Sequence, residues 1–163
     1  MRRDSSSSTL RGDLSASGRR FAVLVSRYNQ EITDALLEGA LECLRAYGAD
    51  EGTVDVFRVP GAWELPQAAA RIVDQGRHDA VVTLGCVIRG DTPHFDFISH
   101  EAARGLGAVA RSASVPVSFG VLTTDTPEQA RVRSDPEGAN KGWEAAEAAL
   151  EMSILFERMA GSE

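Results

Sequence analysis

Short apolar runs alternate with stretches of helical periodicity along nearly the whole chain, and this alternation constrains the fold more than any other feature. Residues 20–26, 53–59, 79–85 and 115–122 are short and rich in β-branched residues, and each predicts a strand. After the first run, Ile32, Leu36, Ala40, Cys43 and Tyr47 recur at helical spacing until Gly48 stops them. A second helix is expected from Trp63 to Gln75, with Pro66 tolerable only in its first turn. Phe95, Ile98, Ala102, Leu106 and Val109 mark a third. Thr126-Pro-Glu-Gln129 combines a capping box with proline at the first helical position, and a last, long helix runs from Trp143 to Met159. The order β-α-β-α-β-α-β-α-α predicts a three-layer α/β/α, flavodoxin-like fold, with a four-stranded parallel sheet flanked by helices on both faces. The third run is apolar on both faces, which suits a strand inside such a sheet.

The rest of the composition narrows the possibilities by exclusion. A chain of 163 residues is one domain's worth. Its net charge of −7 weighs against nucleic acid as a partner, because neutralising phosphates needs a basic surplus. The longest apolar stretch, Ala80 to Ile88, is far short of the roughly twenty residues that span a membrane. Residues 1–20 hold five Arg but only two Asp, and no apolar segment follows the arginines as in a secretory signal. Residues 1–17 are therefore expected to be a flexible arm on a single domain over 18–163. Cys43 and Cys86 show no framework spacing, so a reducing cytoplasm is the expected compartment.

In a parallel α/β sheet, ligands bind outside the carboxyl ends of the strands, so the chemistry is sought there. After the first strand, Tyr28 could cover a flat ligand or simply pack at a helix start. After the second, Glu64 could accept from ligand hydroxyls or complement a helix dipole. After the third comes Gly85-Cys-Val-Ile-Arg-Gly-Asp-Thr-Pro-His-Phe-Asp96, the densest segment of the chain. Thr92 is expected as an N-cap and Pro93 as the first helical residue. A helix start flanked by a hydroxyl and an arginine suits a phosphate. His94, in the same turn, can move protons near neutral pH. His78 and His100 lack such neighbours. No HxxxH or CxxC spacing exists, so no metal site is expected. There is likewise no GxxxxGK[ST] and no GxSxG. Arg131 and Arg133 follow the capped turn at 126–129, and Lys141 is the only lysine.

Taken together, Ser26-Arg-Tyr-Asn29, Val59-Pro-Gly-Ala-Trp-Glu-Leu-Pro66, the 85–96 segment, Phe119-Gly-Val-Leu-Thr123 and Asn140-Lys-Gly142 resemble the lumazine synthase family in order and spacing. The resemblance implies that 5-amino-6-ribitylaminouracil condenses with 3,4-dihydroxy-2-butanone 4-phosphate, without cofactor or metal. It implies that Tyr28 stacks on the pyrimidine, that Ala62, Trp63 and Glu64 hold the ribityl chain, and that the backbone of Cys86, Val87 and Ile88 reads the pyrimidine edge. By the same resemblance Asp91 and Thr92 form the phosphate turn and His94 transfers protons. Phe119 is a wall given by a neighbouring subunit. Arg133, eight residues before Lys141, binds phosphate, and Lys141 belongs to the substrate site. Family members form pentamers, and in many of them twelve pentamers close into a shell. The uninserted stretch Ser134 to Asn140 leans toward the shell, while Ala139 departs from a frequent glycine before Asn-Lys-Gly. The arm is expected to reach a neighbour's sheet edge. A flavodoxin-like electron carrier is disfavoured, because Ser26-Arg-Tyr-Asn-Gln30 has a single serine or threonine where a phosphate loop needs several.

Overall fold

The computed structural model of the chain describes residues 14–161. Four parallel strands, β1 (Phe21–Ser26), β2 (Val54–Val59), β3 (Ala80–Ile88) and β4 (Val117–Thr124), form one sheet in the order β2-β1-β3-β4. The helices are α1 (Gln30–Ala46), α2 (Leu65–Gln75), α3 (His94–Ser112), α4 (Pro127–Ser134) and α5 (Lys141–Ala160), with a single 3₁₀ turn at Ala62–Glu64 ahead of α2. The expected three-layer α/β/α architecture is thus present.

Every residue of β1 is buried, and its side chains divide by alternation. Phe21, Val23 and Val25 join the core beneath α1 and α5, while Ala22 and Leu24 join the core beneath α2 and α3. Burying each such Phe, Val or Leu contributes roughly 1.5–3 kcal/mol, enough to fix β1 at the centre of the sheet. β2, at the edge, leaves Val56 and Phe57 about two-fifths exposed.

β1, β2 and β3 each start one residue later than expected, and β3 and β4 show larger shifts, with β4 ending at Thr124 rather than Leu122. β3 continues three residues beyond Gly85, because β4 offers partners as far as Ile88↔Thr124. β4 begins only after Pro116, whose carbonyl accepts from Val81 N–H at 2.9 Å and which has no N–H of its own to offer. At the start of α3 the cap is shifted by one residue. Pro93 precedes the helix, and Thr92 Oγ1 lies 3.5 Å from the His94 N–H.

Of the expected arm, residues 1–13 lie outside the described residues. Leu14 packs against the core, and Ala16 is fully buried with its N–H donating to Tyr47 O at 2.9 Å. Gly18 N–H donates to Asp50 Oδ2 at 2.7 Å. At this amino-terminal end of the sheet, away from the strand ends that carry the motifs, His78 Nε2 lies 2.8 Å from Asp55 Oδ2 and its ring stands edge-on to Phe57. That hydrogen bond, joined by the nearby Arg20, holds the Asp55 carboxyl below the usual carboxylate range.

Candidate active site

The carboxyl ends of β1 and β3 and the starts of α2 and α3 enclose a cavity of about 270 Å³. The chain turns out of β1 at Asn29, the one described non-glycine residue with positive φ (59°). Asparagine tolerates this left-handed geometry better than most side chains. Asn29 Nδ2 then donates to Cys86 O at 2.9 Å, tying the turn to β3. Arg27 and Tyr28 donate their N–H groups to Val59 O and Pro60 O, tying it also to the end of β2. Held on both sides, Tyr28 stands at the rim 74% exposed, with Trp63 55% exposed beside the same cavity. Ala62 lies at the wall, Cys86, Val87 and Ile88 supply the strand end, and Thr92 and His94 bring in the first turn of α3. Phe95 and Ile98 complete the apolar lining.

Five expected residues stand outside these walls: Glu64, Asp91, Phe119, Arg133 and Lys141. Glu64 Oε2 accepts from Gly61 N–H at 2.9 Å and so braces the turn leading into α2. Asp91 is exposed on the loop before α3. The arginine of the Arg-Gly-Asp-Thr segment is engaged by carboxylates at its own end of the sheet. Arg89 Nε donates to Asp125 Oδ1 at 2.8 Å, its Nη1 to Asp96 Oδ1 at 3.3 Å, and the guanidinium lies 4.3 Å over the Phe95 ring. It fastens the ends of β3 and β4 to α3, and its carboxylate partners raise its pKa further.

A second cavity, of about 410 Å³, runs along the edge strand β4. It holds the half-exposed Phe119 together with Arg133 and Lys141. α4 separates its two arginines. Arg131 pairs with Glu31 at 3.4 Å and Glu128 at 3.6 Å, whereas Arg133 donates only to the Gln129 carbonyl at 3.0 Å and has no ion pair among the described residues. Lys141 Nζ reaches Glu144 Oε2 at 2.7 Å. The two cavities share no residue. One chain therefore brings Tyr28, Ala62, Trp63, Cys86, Val87, Ile88, Thr92 and His94 together, and keeps Phe119, Arg133 and Lys141 apart from them.

Asn29 stands in the Ser26-Arg-Tyr-Asn29 segment, yet the sequence alone assigns it no role of its own. Its signal was the residue type, an asparagine between a strand and a helix, where a left-handed residue is often needed. Among the described residues, no three His, Cys, Asp or Glu side chains converge as metal ligands would, and no helix is long and apolar enough to cross a membrane.

Burial pushes the Cys86 thiol up to about 11 and the Cys43 thiol up to about 12. A thiolate, not a thiol, attacks alkylating agents. Native protein at pH 8 is thus expected to leave both cysteines unmodified by iodoacetamide, and denatured protein to label both, as read by intact mass. The raised values also set a direction for stability. Unfolded thiols ionise near 9.0 while the folded ones hold their protons, so this contribution is intact below pH 9 and is lost as pH rises above it.

Comparison with known proteins gives a consistent result. The family model described as 6,7-dimethyl-8-ribityllumazine synthase matches residues 18–157. A protein of that name from Chlorobium phaeobacteroides is 50% identical over 147 residues, covering 90% of this chain and 95% of the relative. Proteins of the same name from Desulfatibacillum aliphaticivorans and Chlorobaculum tepidum are each 47% identical, over 91% and 92% of this chain and 96% and 97% of their own lengths.

Proposed function

The chain belongs to the 6,7-dimethyl-8-ribityllumazine synthase family, a family of transferases in riboflavin biosynthesis, and from that premise we propose how it works. It condenses 5-amino-6-(D-ribitylamino)uracil with 3,4-dihydroxy-2-butanone 4-phosphate, giving 6,7-dimethyl-8-ribityllumazine, inorganic phosphate and water. One observation carries the reading: an exposed tyrosine, an open strand end and the imidazole of His94 line a single cavity.

Tyr28 covers the pyrimidine ring, and the backbone of Val87 and Ile88 meets its polar edge. The Cys86 carbonyl accepts from Asn29 and keeps a second lone pair, so Cys86 belongs to the same edge. Ala62, Trp63 and Glu64 hold the ribityl chain. The amine attacks the carbonyl of the butanone, the carbinolamine loses water, and a proton leaves carbon before phosphate departs. His94 serves these transfers in turn. Arg133 and Lys141 meet the phosphate, with Asp91 and Thr92 shaping the turn around it.

Because one copy holds these two sets in separate cavities, the complete site joins two copies. Phe119, Arg133 and Lys141 of one subunit close the His94 cavity of its neighbour. A ring of such contacts is a cyclic oligomer, here a pentamer, and the uninserted 134–140 loop favours twelve pentamers closing into a shell. The described residues act as one unit, Leu14 to Ser17 packing with the domain expected over 18–163, and the buried free thiols suit a reducing cytoplasm.

The test is a rate assay with both substrates, following lumazine absorbance and phosphate release against an enzyme-free control. The protein should accelerate both signals in equal amounts. His94→Ala should lower kcat by about 10²-fold, at the low end for acid–base groups, because orientation of two substrates supplies much of the acceleration. No acceleration, in protein that still binds lumazine, would make this a binding or shell protein instead.

A further inference from the structure

We infer that Asn140 is a positioning residue that holds Arg133 and Lys141 at the spacing the phosphate half of the site requires. The inference rests on the assignment of that half made above. Asn140 is 5% exposed and its amide is fully used. Nδ2 donates to Ser134 O at 2.8 Å and to Ala35 O at 3.1 Å, while Oδ1 accepts from Gly142 N–H at 2.8 Å and Trp143 N–H at 3.1 Å. Ser134 directly follows Arg133, and Lys141 directly follows Asn140. One side chain thus ties the last turn of α4 to the first turn of α5, and both to α1.

The exposed residues between them bond mainly among themselves: Gly138 N–H donates to Asp135 O and Glu137 N–H to Asp135 Oδ1. Ala139 forms this loop without positive φ, so its conformation requires no glycine there. α1 is shaped to receive the amide. A Cβ at Gly39 would fall on Asn140 Oδ1 and within 2.5 Å of its Cγ. Only an amide of this length supplies two donors upward and an acceptor downward. Serine or aspartate could cap α5 but could donate nothing from the amide position to Ser134 or Ala35.

Two variants probe this from opposite sides. Asn140→Ser keeps a capping oxygen for α5 and removes both donated bonds. Gly39→Ala displaces Asn140 from α1, an element that carries no residue of the phosphate half, and alanine is otherwise the better helix former. In both, KM for the butanone phosphate and the half-inhibitory concentration of inorganic phosphate should rise about ten-fold, as for loss of well-placed hydrogen bonds. KM for the pyrimidine and kcat should stay within about two-fold.

Arg133→Ala in the same assay separates the failures. If it leaves phosphate inhibition unchanged, or the unaltered chain shows none, the phosphate reading of this half fails and the inference with it. If Arg133→Ala abolishes inhibition while Asn140→Ser and Gly39→Ala behave like the unaltered chain, the inference alone fails. Equal losses for both substrates, or failure of both variants to fold, would give Asn140 a merely structural role and overturn it as well.

Discussion

Replacing Arg133 with alanine is expected to lower kcat/KM for the butanone phosphate by at least about 10²-fold, the largest loss of any single side chain in the phosphate half. A hydrogen bond to a charged partner contributes about 1.5–3 kcal/mol, and a guanidinium on a phosphate makes two at once. The geometry leaves Arg133 available for this. Among the described residues its only hydrogen bond is to the Gln129 carbonyl, and no carboxylate pairs with it. Arg131, two residues earlier, is already shared between Glu31 and Glu128. Arg131→Ala removes only exposed ion pairs and should change kcat/KM by less than about two-fold. Initial rates over a range of butanone phosphate, at saturating pyrimidine, distinguish the two. Near-equal losses in both variants would place the phosphate elsewhere.

Gly142→Ala is expected to have the largest effect on stability. α5 crosses α1 at this residue, and a Cβ there would fall on the Leu36 carbonyl oxygen and lie 2.6 Å from its carbon. Both are backbone atoms within a helix, so no rotamer change relieves the overlap. The helices would have to separate, disturbing the core that Leu36, Ala145, Ala146 and Ala149 fill. Overpacking costs about 1–3 kcal/mol where side chains can yield, and more where they cannot. A cost of at least about 3 kcal/mol would take a large part of a typical domain's stability and lower Tm by roughly 6–12 °C. Gly90→Ala makes a control, since a Cβ there meets nothing within 4 Å. Thermal melts followed by circular dichroism compare them. A Gly142→Ala melt within about 2 °C of the unaltered chain, less than 1 kcal/mol for a chain of this size, would show that the α1–α5 contact is soft.

The layers were legible in the sequence because the signals that define them are local. The all-apolar run of β1 and the helical spacing of Ile32 to Cys43 each report burial on their own. Strand ends were less legible, since β3 runs to Ile88 only because β4 pairs with it there. Within the site, His94, Tyr28 and the 86–88 strand end were legible because they follow strands whose carboxyl ends must converge. The separation of Phe119, Arg133 and Lys141 from them was not legible in the residues themselves, and only the family resemblance implied it, for Phe119. It depends on how α4 and α5 lie along the edge of β4, which no spacing records. The same holds for Arg89, whose partner Asp125 comes from another strand's end, and for Asn140, which reaches Ala35 across the α1–α5 crossing. Long-range partners decide whether a charged or polar side chain is free to meet a ligand.

The most direct test of the account is complementation between two inactive subunits. His94→Ala and Arg133→Ala chains would be co-expressed in equal amounts, the mixed assembly purified, and its rate of lumazine formation compared with each variant alone. If each site takes His94 from one copy and Arg133 from the next, random mixing makes about a quarter of the interfaces whole, and activity should recover to about a quarter of the unaltered protein's. A mixed assembly no faster than the average of the two variants would contradict a site shared between neighbouring copies.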